Sequence, residues 1–145
     1  MPQKPTVTEF QVSSSARLRI LLADDFASWR SELRSFLQGN TECEIVFEAC
    51  NGLEAVQKTV ELHPDVVLLD ISMPYLNGIE AARRIRQLSP DFQIIMLTQN
   101  ANEDLISAAL EAGAQAYVLK AEMTTNLIPA IQMTLRTRCS QNSWR

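Results

Sequence analysis

The sequence predicts an α/β fold, a doubly wound five-stranded parallel sheet of order 2-1-3-4-5 with helices on both faces. Five short apolar runs of β-favouring residues alternate along the chain with five segments of helical periodicity. The central run, residues 66–69, is apolar without alternation, which is typical of a strand covered on both faces. Four of the runs end at a polar or charged residue. Since parallel strands end at the same edge, these residues are expected at the carboxyl edge of the sheet.

The predicted elements follow one another closely. The strands are residues 18–23, 44–49, 66–69, 92–97 and 116–119. The helices are residues 28–38, a segment between Gly52 and His63, residues 78–88, residues 102–112 and a last helix beginning near residues 124–126. Residues at helical spacing are predicted to face inward: Trp29, Leu33, Phe36 and Leu37; Leu53, Val56 and Val60; Ile79, Ala82, Ile85 and Leu88; and Leu127, Ile131 and Leu135.

Local signals refine the helix ends. Ser28 or Asp25 is the expected N-cap of the first helix. Gly113 is expected to end the fourth helix with a positive φ. Pro129 is expected in the first turn of the last helix, where amide donors have no helical partner.

Composition excludes several classes of protein. The 145 residues suit one domain, and no apolar run is long enough to span a bilayer. Residues 1–16 lack an apolar signal core and are expected to form a flexible leader of a cytoplasmic protein. Three cysteines without paired spacing argue against a disulfide framework and a zinc site. A net charge of -4 argues against direct nucleic acid binding.

Five polar residues would converge where the strand order reverses, between strands 1 and 3. Asp24 and Asp25 follow strand 1, Asp70 ends strand 3, Thr98 follows strand 4, and Lys120 follows strand 5. Three neighbouring carboxylates repel one another unless a cation balances them. An all-oxygen set without His or Cys suits Mg²⁺, and an Asp at this place can act as a nucleophile toward phosphorus.

Other classes of function fit less well. A flavodoxin-like or nucleotide-binding module shares the fold, but the chain has neither a GxGxxG nor a GK[ST] loop. A haloacid-dehalogenase-type phosphatase needs two Asp separated by one residue, whereas Asp24 and Asp25 are adjacent. A hydrolase triad would have to use His63, the only histidine, which stands before Pro64 in a turn.

Longer stretches of the sequence resemble a known family. The stretches are RILLADDF (residues 19–26), EACNGLEAV (48–56), PDVVLLDISMPYLNGIEAARRIR (64–86), IIMLT (94–98) and EAGAQAYVLKA (111–121). From about residue 17 to residue 137 the chain closely resembles CheY-like receiver domains of two-component response regulators, especially the NarL/FixJ (LuxR-type) subfamily. The expected domain covers residues 17–138, with a tail at 139–145.

The resemblance assigns roles at the site. It implies that Asp70 accepts a phosphoryl group and that Asp25 binds Mg²⁺ directly, together with Asp70. Asp24 is expected to act on the metal largely through water, and the backbone carbonyl of Ser72 to be a further ligand. Lys120 is the expected cation for the phosphoryl group.

The resemblance also assigns a switch, and it has departures. Thr98 is the expected switch hydroxyl and Tyr117 the expected aromatic switch. Gln99 stands where receivers usually carry a small residue, so it is expected to narrow access to the site. Ala121 replaces a frequent Pro, and Phe26 replaces a frequent His.

The partners follow from the same resemblance. A sensor histidine kinase or a phosphotransfer protein is the expected phosphoryl donor, and the domain would later hydrolyse its own aspartyl phosphate without being an enzyme in the usual sense. The signal would pass through helix 4, strand 5 and helix 5, with homodimers through that surface or through helices 1 and 5 both compatible. The chain would be a stand-alone receiver or part of a DNA-binding regulator; the alternative is a phosphorylation-independent interaction module.

Overall fold

The structure, a computed structural model, describes residues 17–100 and 102–142. Its centre is a five-stranded sheet in which all four neighbouring pairs are parallel. The strands are β1 (Leu18–Ala23), β2 (Cys43–Ala49), β3 (Val66–Asp70), β4 (Gln93–Thr98) and β5 (Ala116–Leu119). They lie in the order β2-β1-β3-β4-β5, which confirms the predicted fold class.

Five α-helices connect and follow these strands. They are α1 (Ala27–Gln38), α2 (Gly52–Leu62), α3 (Gly78–Leu88), α4 (Glu103–Glu111) and α5 (Met123–Asn142). A short 3-10 segment, Lys120–Glu122, joins β5 to α5. No helix within the described ranges is both long and apolar enough to cross a membrane.

Apolar clusters cover both faces of the sheet. Successive residues of a strand point to opposite faces, so Leu21 packs with α2, α3 and α4 while Ile20 packs with α1 and α5. Residues 66–69 and 94–97 divide between the two faces in the same way. This explains why the strand runs are apolar without alternation.

Helix α2 matches the predicted inward face only at Val56, which is partly buried and packs on the core. Leu53 and Val60 are exposed, whereas Gly52, Ala55 and Thr59 are buried. A Cβ on Gly52 would lie 1.8 Å from the backbone oxygen of Leu76. Because the helix begins this close to the β3–α3 loop, its small residues face inward, and Leu53 and Val60 turn outward.

Helix α3 matches the prediction only in part. Ala82 and Ile85 are buried, but Leu88 is exposed, so its predicted inward position is wrong. Arg86 is partly buried, and its guanidinium donates to the carbonyls of Pro90 and Gly113. The end of the helix is therefore fixed by these hydrogen bonds rather than by the burial of Leu88.

Two predicted helix-end details are wrong and one is confirmed. The N-cap of α1 is Phe26, not Ser28 or Asp25, and no side chain caps it. Pro129 lies inside α5 rather than in its first turn, since the helix already begins at Met123. Gly113 has the expected positive φ, 119°.

Candidate functional site

Three carboxylates meet at the carboxyl edge of the sheet. Asp24 follows β1 directly, Asp25 comes next, and Asp70 is the last residue of β3. One carboxylate oxygen from each lies within 4.8 Å of the other two. Asp24 and Asp70 are buried and Asp25 is exposed, so the cluster is open to solvent on one side. The convergence predicted from the strand ends is thus observed.

Lys120 supplies a positive charge to this cluster. Its Nζ donates to Asp24 Oδ2 at 2.7 Å and lies 3.4 Å from Asp70 Oδ1. The Lys120 side chain is 10% exposed, so these charges interact in a partly desolvated place where ion pairs are stronger than at a surface. One ammonium therefore bridges two of the three carboxylates.

Asp24 is also held by hydrogen bonds from residues that follow it in the chain. Its Oδ1 accepts a hydrogen bond from the backbone amide of Phe26 at 2.8 Å. Arg30 Nη1 donates to the Asp24 backbone carbonyl at 2.7 Å. Glu48 on β2 pairs with Arg34 and lies 3.6 Å from Arg30, which ties α1 to β2 behind the site.

Burial raises the pKa of Asp70 from 3.8 to about 6, with the neighbouring Asp24 as the second cause. Lys120 opposes the rise, and Asp25 adds a smaller contribution in the same direction as Asp24. The single ammonium does not balance three carboxylates. A further cation would favour the ionised form of Asp70, which is the form that binds metals and attacks electrophiles.

The residues fit a divalent metal of the magnesium class. Asp24, Asp25 and Asp70 offer converging carboxylate oxygens. Ser72 is exposed and lines the same cavity. Hard ions such as Mg²⁺ prefer oxygen ligands and bind through one or two carboxylates and several waters. An open acidic cluster next to a cavity meets that requirement.

The remaining predicted residues around the site are Thr98 and Gln99. Thr98 is 4% exposed, and its hydroxyl donates to the backbone carbonyl of Asn100 at 3.0 Å. Gln99 is exposed and lines the cavity, which has a volume of about 280 Å³. Both side chains therefore border the space in front of Asp70.

Tyr117 lies apart from these residues. It is on β5, in register with Met96, and is 42% exposed. Tyr117 is not among the described residues that line the cavity. The structure thus places Tyr117 on the outer surface of β5 and leaves its predicted role as a switch open to test.

Sequence reasoning missed three contributors to the site. Trp29, predicted only as a core residue, lies beneath Lys120 with its ring centroid 5.1 Å from Nζ. Arg30 holds the Asp24 carbonyl, and Leu105 of α4 lines the cavity. Trp29 and Arg30 follow the acidic pair by about one helical turn, and this spacing was the only signal for them.

An acidic cluster with a lysine, at the reversal point of a five-stranded sheet of this order, defines the class of receiver domains. The chain belongs to this family, since the family model of the response regulator receiver domain matches residues 20–132. The protein is therefore a response regulator receiver domain of two-component signalling. Receiver domains bind Mg²⁺ at an acidic pocket, partner with histidine kinases and phosphotransfer proteins, and are generally not enzymes in the usual sense.

Curated relatives place the chain in the LuxR/NarL branch of the family. It is 39% identical over 120 residues to the transcriptional regulatory protein LnrK of Bacillus subtilis. It is 38% identical over 115 residues to the transcriptional regulatory protein LiaR of the same organism. These matches cover 83% and 79% of this chain but 54% of each relative. The chain thus spans about half the length of the curated relatives it matches.

Solved structures agree with this placement. A LuxR-family two-component response regulator from Aurantimonas is 34% identical, with a TM-score of 0.80 over 84% of this chain and 87% of that chain. The response regulator domain of CheB from Thermotoga maritima is 31% identical, with a TM-score of 0.77 over 83% of this chain and 97% of that chain.

Proposed function

We propose that this receiver accepts a phosphoryl group on Asp70 from a sensor histidine kinase or a phosphotransfer protein. The observation that carries the proposal is the convergence of Asp24, Asp25 and Asp70 within 4.8 Å, with the Lys120 ammonium between two of them. Family membership supports the class of donor. The proposal places the reaction in the cytoplasm, where such kinases obtain ATP.

Asp70 is the proposed nucleophile because it ends the central strand β3 and faces the cavity. In the transfer, an Asp70 carboxylate oxygen forms a bond to phosphorus while the bond from phosphorus to the donor imidazole nitrogen breaks. The electron pair of that bond returns to the imidazole. Water later cleaves the acyl phosphate, which releases phosphate and restores the carboxylate.

The remaining charged residues would hold and neutralise the group being transferred. Asp25, Asp70 and the Ser72 backbone carbonyl are the proposed direct ligands of Mg²⁺, with Asp24 acting largely through water. The bound ion would neutralise charge on the phosphoryl oxygens. Lys120 is within reach of Asp70 and would pair with a phosphoryl oxygen once the bond has formed.

The proposed output starts at Thr98. Its hydroxyl is bonded to the Asn100 carbonyl, and a phosphoryl group on Asp70 would compete for it with charged acceptor oxygens. Movement of Thr98 toward the phosphoryl group would let Tyr117 turn inward from its exposed position. The surface formed by α4, β5 and α5 would change, and a partner or a second copy would recognise it.

We further propose residues 17–138 as the limits of the receiver, with residues 1–16 as a leader and 139–145 as a tail. The leader lies outside the described residues, and the proposed tail begins within α5, which extends to Asn142. Its relatives are named as transcriptional regulatory proteins. The receiver would act in such regulation without binding nucleic acid itself, alone or as part of a longer regulator.

Intact mass spectrometry after incubation with Mg²⁺ and acetyl phosphate tests the proposal. The wild type is expected to gain one phosphoryl mass, and Asp70→Asn to gain none. Asp91→Asn is the matched control, because Asp91 is exposed and precedes β4 at the opposite edge of the sheet. It should behave as the wild type does.

Failure of the wild type to gain this mass with acetyl phosphate, phosphoramidate and a phosphorylated histidine kinase would overturn the proposal. The alternative of a phosphorylation-independent interaction module would then stand, with Gln99 at the cavity as the first residue to replace. Equal gain by wild type and Asp70→Asn would place the phosphoryl group on another residue.

A further inference from the structure

Trp29 makes a contact with the site that no assigned role explains. It is the third residue of α1, and its ring lies beneath Lys120 with 5.1 Å between the ring centroid and Nζ. Such a distance is within the range in which an ammonium is attracted to the face of an aromatic ring. The ammonium of Lys120 thus has a ring on one side and two carboxylates as its other partners.

The charges around Lys120 do not by themselves fix its place. Asp24 Oδ2 is 2.7 Å from Nζ and Asp70 Oδ1 is 3.4 Å away, so the two carboxylates compete for one ammonium. Asp70 would change charge and size on phosphorylation. The Trp29 ring has no net charge and does not change in this way, so it can hold the ammonium through both states.

The position of the Trp29 indole carries an energetic cost. Trp29 Nε1 is buried and has no hydrogen-bond partner in the part of the chain that the structure describes. A buried donor without a partner is unfavourable. Trp29 is therefore held by packing rather than by a hydrogen bond of its Nε1. One ring face contacts Lys120, and the residue packs on the apolar cluster beneath α1 and α5.

We infer that Trp29 is a positioning residue for Lys120: the ring holds the ammonium between Asp24 and Asp70, ready to pair with a phosphoryl group. The functional consequence rests on the proposed phosphorylation of Asp70. The contact itself does not, and the two are tested separately.

The contact between Lys120 and the Trp29 ring is measured by the NMR chemical shifts of the Lys120 side chain in the folded protein. Aromatic rings shift protons above their faces upfield, so the ε-methylene protons of Lys120 should be upfield-shifted in the wild type and in Trp29→Phe. In Trp29→Leu they should return to the values of an exposed lysine. Unchanged shifts in Trp29→Leu would overturn the inference.

The consequence is measured as the rate of phosphorylation at saturating acetyl phosphate and Mg²⁺. Trp29→Leu is expected to slow it by about three- to tenfold, the size of one partly desolvated cation–π contact. Trp29→Phe should remain within about twofold of the wild type, because it keeps a ring. Equal losses in the two variants would contradict a role through the ring.

Two controls separate positioning from simple destabilisation. Phe47→Leu removes a similar contact, since Lys58 Nζ lies 5.0 Å from the Phe47 ring away from the site, and should leave the rate unchanged. In a Lys120→Met background, Trp29→Leu should cause no further loss, whereas an additive loss would overturn the inference. If the wild type gains no phosphoryl group, the proposed function fails and the NMR shifts alone decide the role of Trp29.

Discussion

Gly78 begins α3 in direct contact with the backbone of Asp70. A Cβ at Gly78 would lie 2.1 Å from the Asp70 carbonyl oxygen, and the Gly78 amide donates to the Ile71 carbonyl at 2.8 Å. The position of the central carboxylate therefore depends on the absence of a side chain eight residues later.

Replacing Gly78 by Ala should destabilise the protein by about 1–3 kcal/mol, because the added methyl has to displace the backbone at Asp70. Gly39→Ala is the matched control, since a Cβ there comes no nearer than 3.4 Å to its neighbours and φ is -69°. The control should change stability by less than about 1 kcal/mol. Urea unfolding of both variants decides this, and equal effects would mean that the Asp70 contact is not the cause.

Asp70 should make the metal-free protein less stable as the pH rises. Its pKa is raised from 3.8 to about 6 in the folded state, so the folded protein keeps a proton that the unfolded chain releases. Stability is expected to fall between these two pH values and to level off above them. Asp70→Asn should then be more stable than the wild type by up to about 3 kcal/mol above pH 7, and the difference should vanish near pH 3.

This pH effect is measured by urea unfolding in the presence of a chelator, with Asp91→Asn as the control. A difference between Asp70→Asn and the wild type that stays constant from acid to neutral pH would show that the buried charge is not its source. Added Mg²⁺ should reduce the difference, because a cation favours the ionised carboxylate.

Lys120→Met should destabilise the metal-free protein by about 3–5 kcal/mol, since it leaves the buried Asp24 carboxylate without its cation. Mg²⁺ should stabilise this variant more than the wild type, because the site becomes more negative. The measurement is the urea midpoint as a function of Mg²⁺ concentration. Lys58→Met, which removes a surface pair with Glu61, is the control and should respond to Mg²⁺ as the wild type does.

Glu48 should make the protein more stable as the pH rises, which is the opposite of the effect of Asp70. The hydrogen bond from Arg34 lowers the pKa of Glu48, so its stabilising effect is present above the unfolded value of 4.5 and is lost as the pH falls through the folded one. Glu48→Gln should cost about 0.5–1 kcal/mol near pH 7, as expected of a partly exposed ion pair. Unfolding at a series of pH values should show the wild type and the variant converging as the pH falls below 4.5; a constant gap would contradict this.

The sequence was sufficient for the fold and for the set of residues that meet at its edge. Apolar runs that stop at Asp24, Asp70, Thr98 and Lys120 define strand ends, and parallel strands bring their ends to one edge whatever the helices between them do. The convergence of these residues is observed, while their chemical roles, and those of Ser72, Gln99 and Tyr117, stay predictions.

Only the tertiary structure decided which face of α2 is buried and where the inward face of α3 ends. Leu53, Val60 and Leu88 follow a helical period, yet they are exposed. The close approach of Gly52 to Leu76 and the hydrogen bonds of Arg86 set the rotation of α2 and the end of α3. Periodicity in one segment carries no information about such contacts with another.

The side-chain contacts around Lys120 could not be predicted from the sequence either. Its partner Asp24 is 96 residues away, and Trp29 approaches from the start of α1. The sequence determined that a lysine and an acidic pair would share one edge of the sheet, because each follows a predicted strand and parallel strands end at the same edge. The sequence did not show which carboxylate the ammonium favours or which ring supports it. Both depend on side-chain packing between segments that are distant in the chain and meet only in the folded protein.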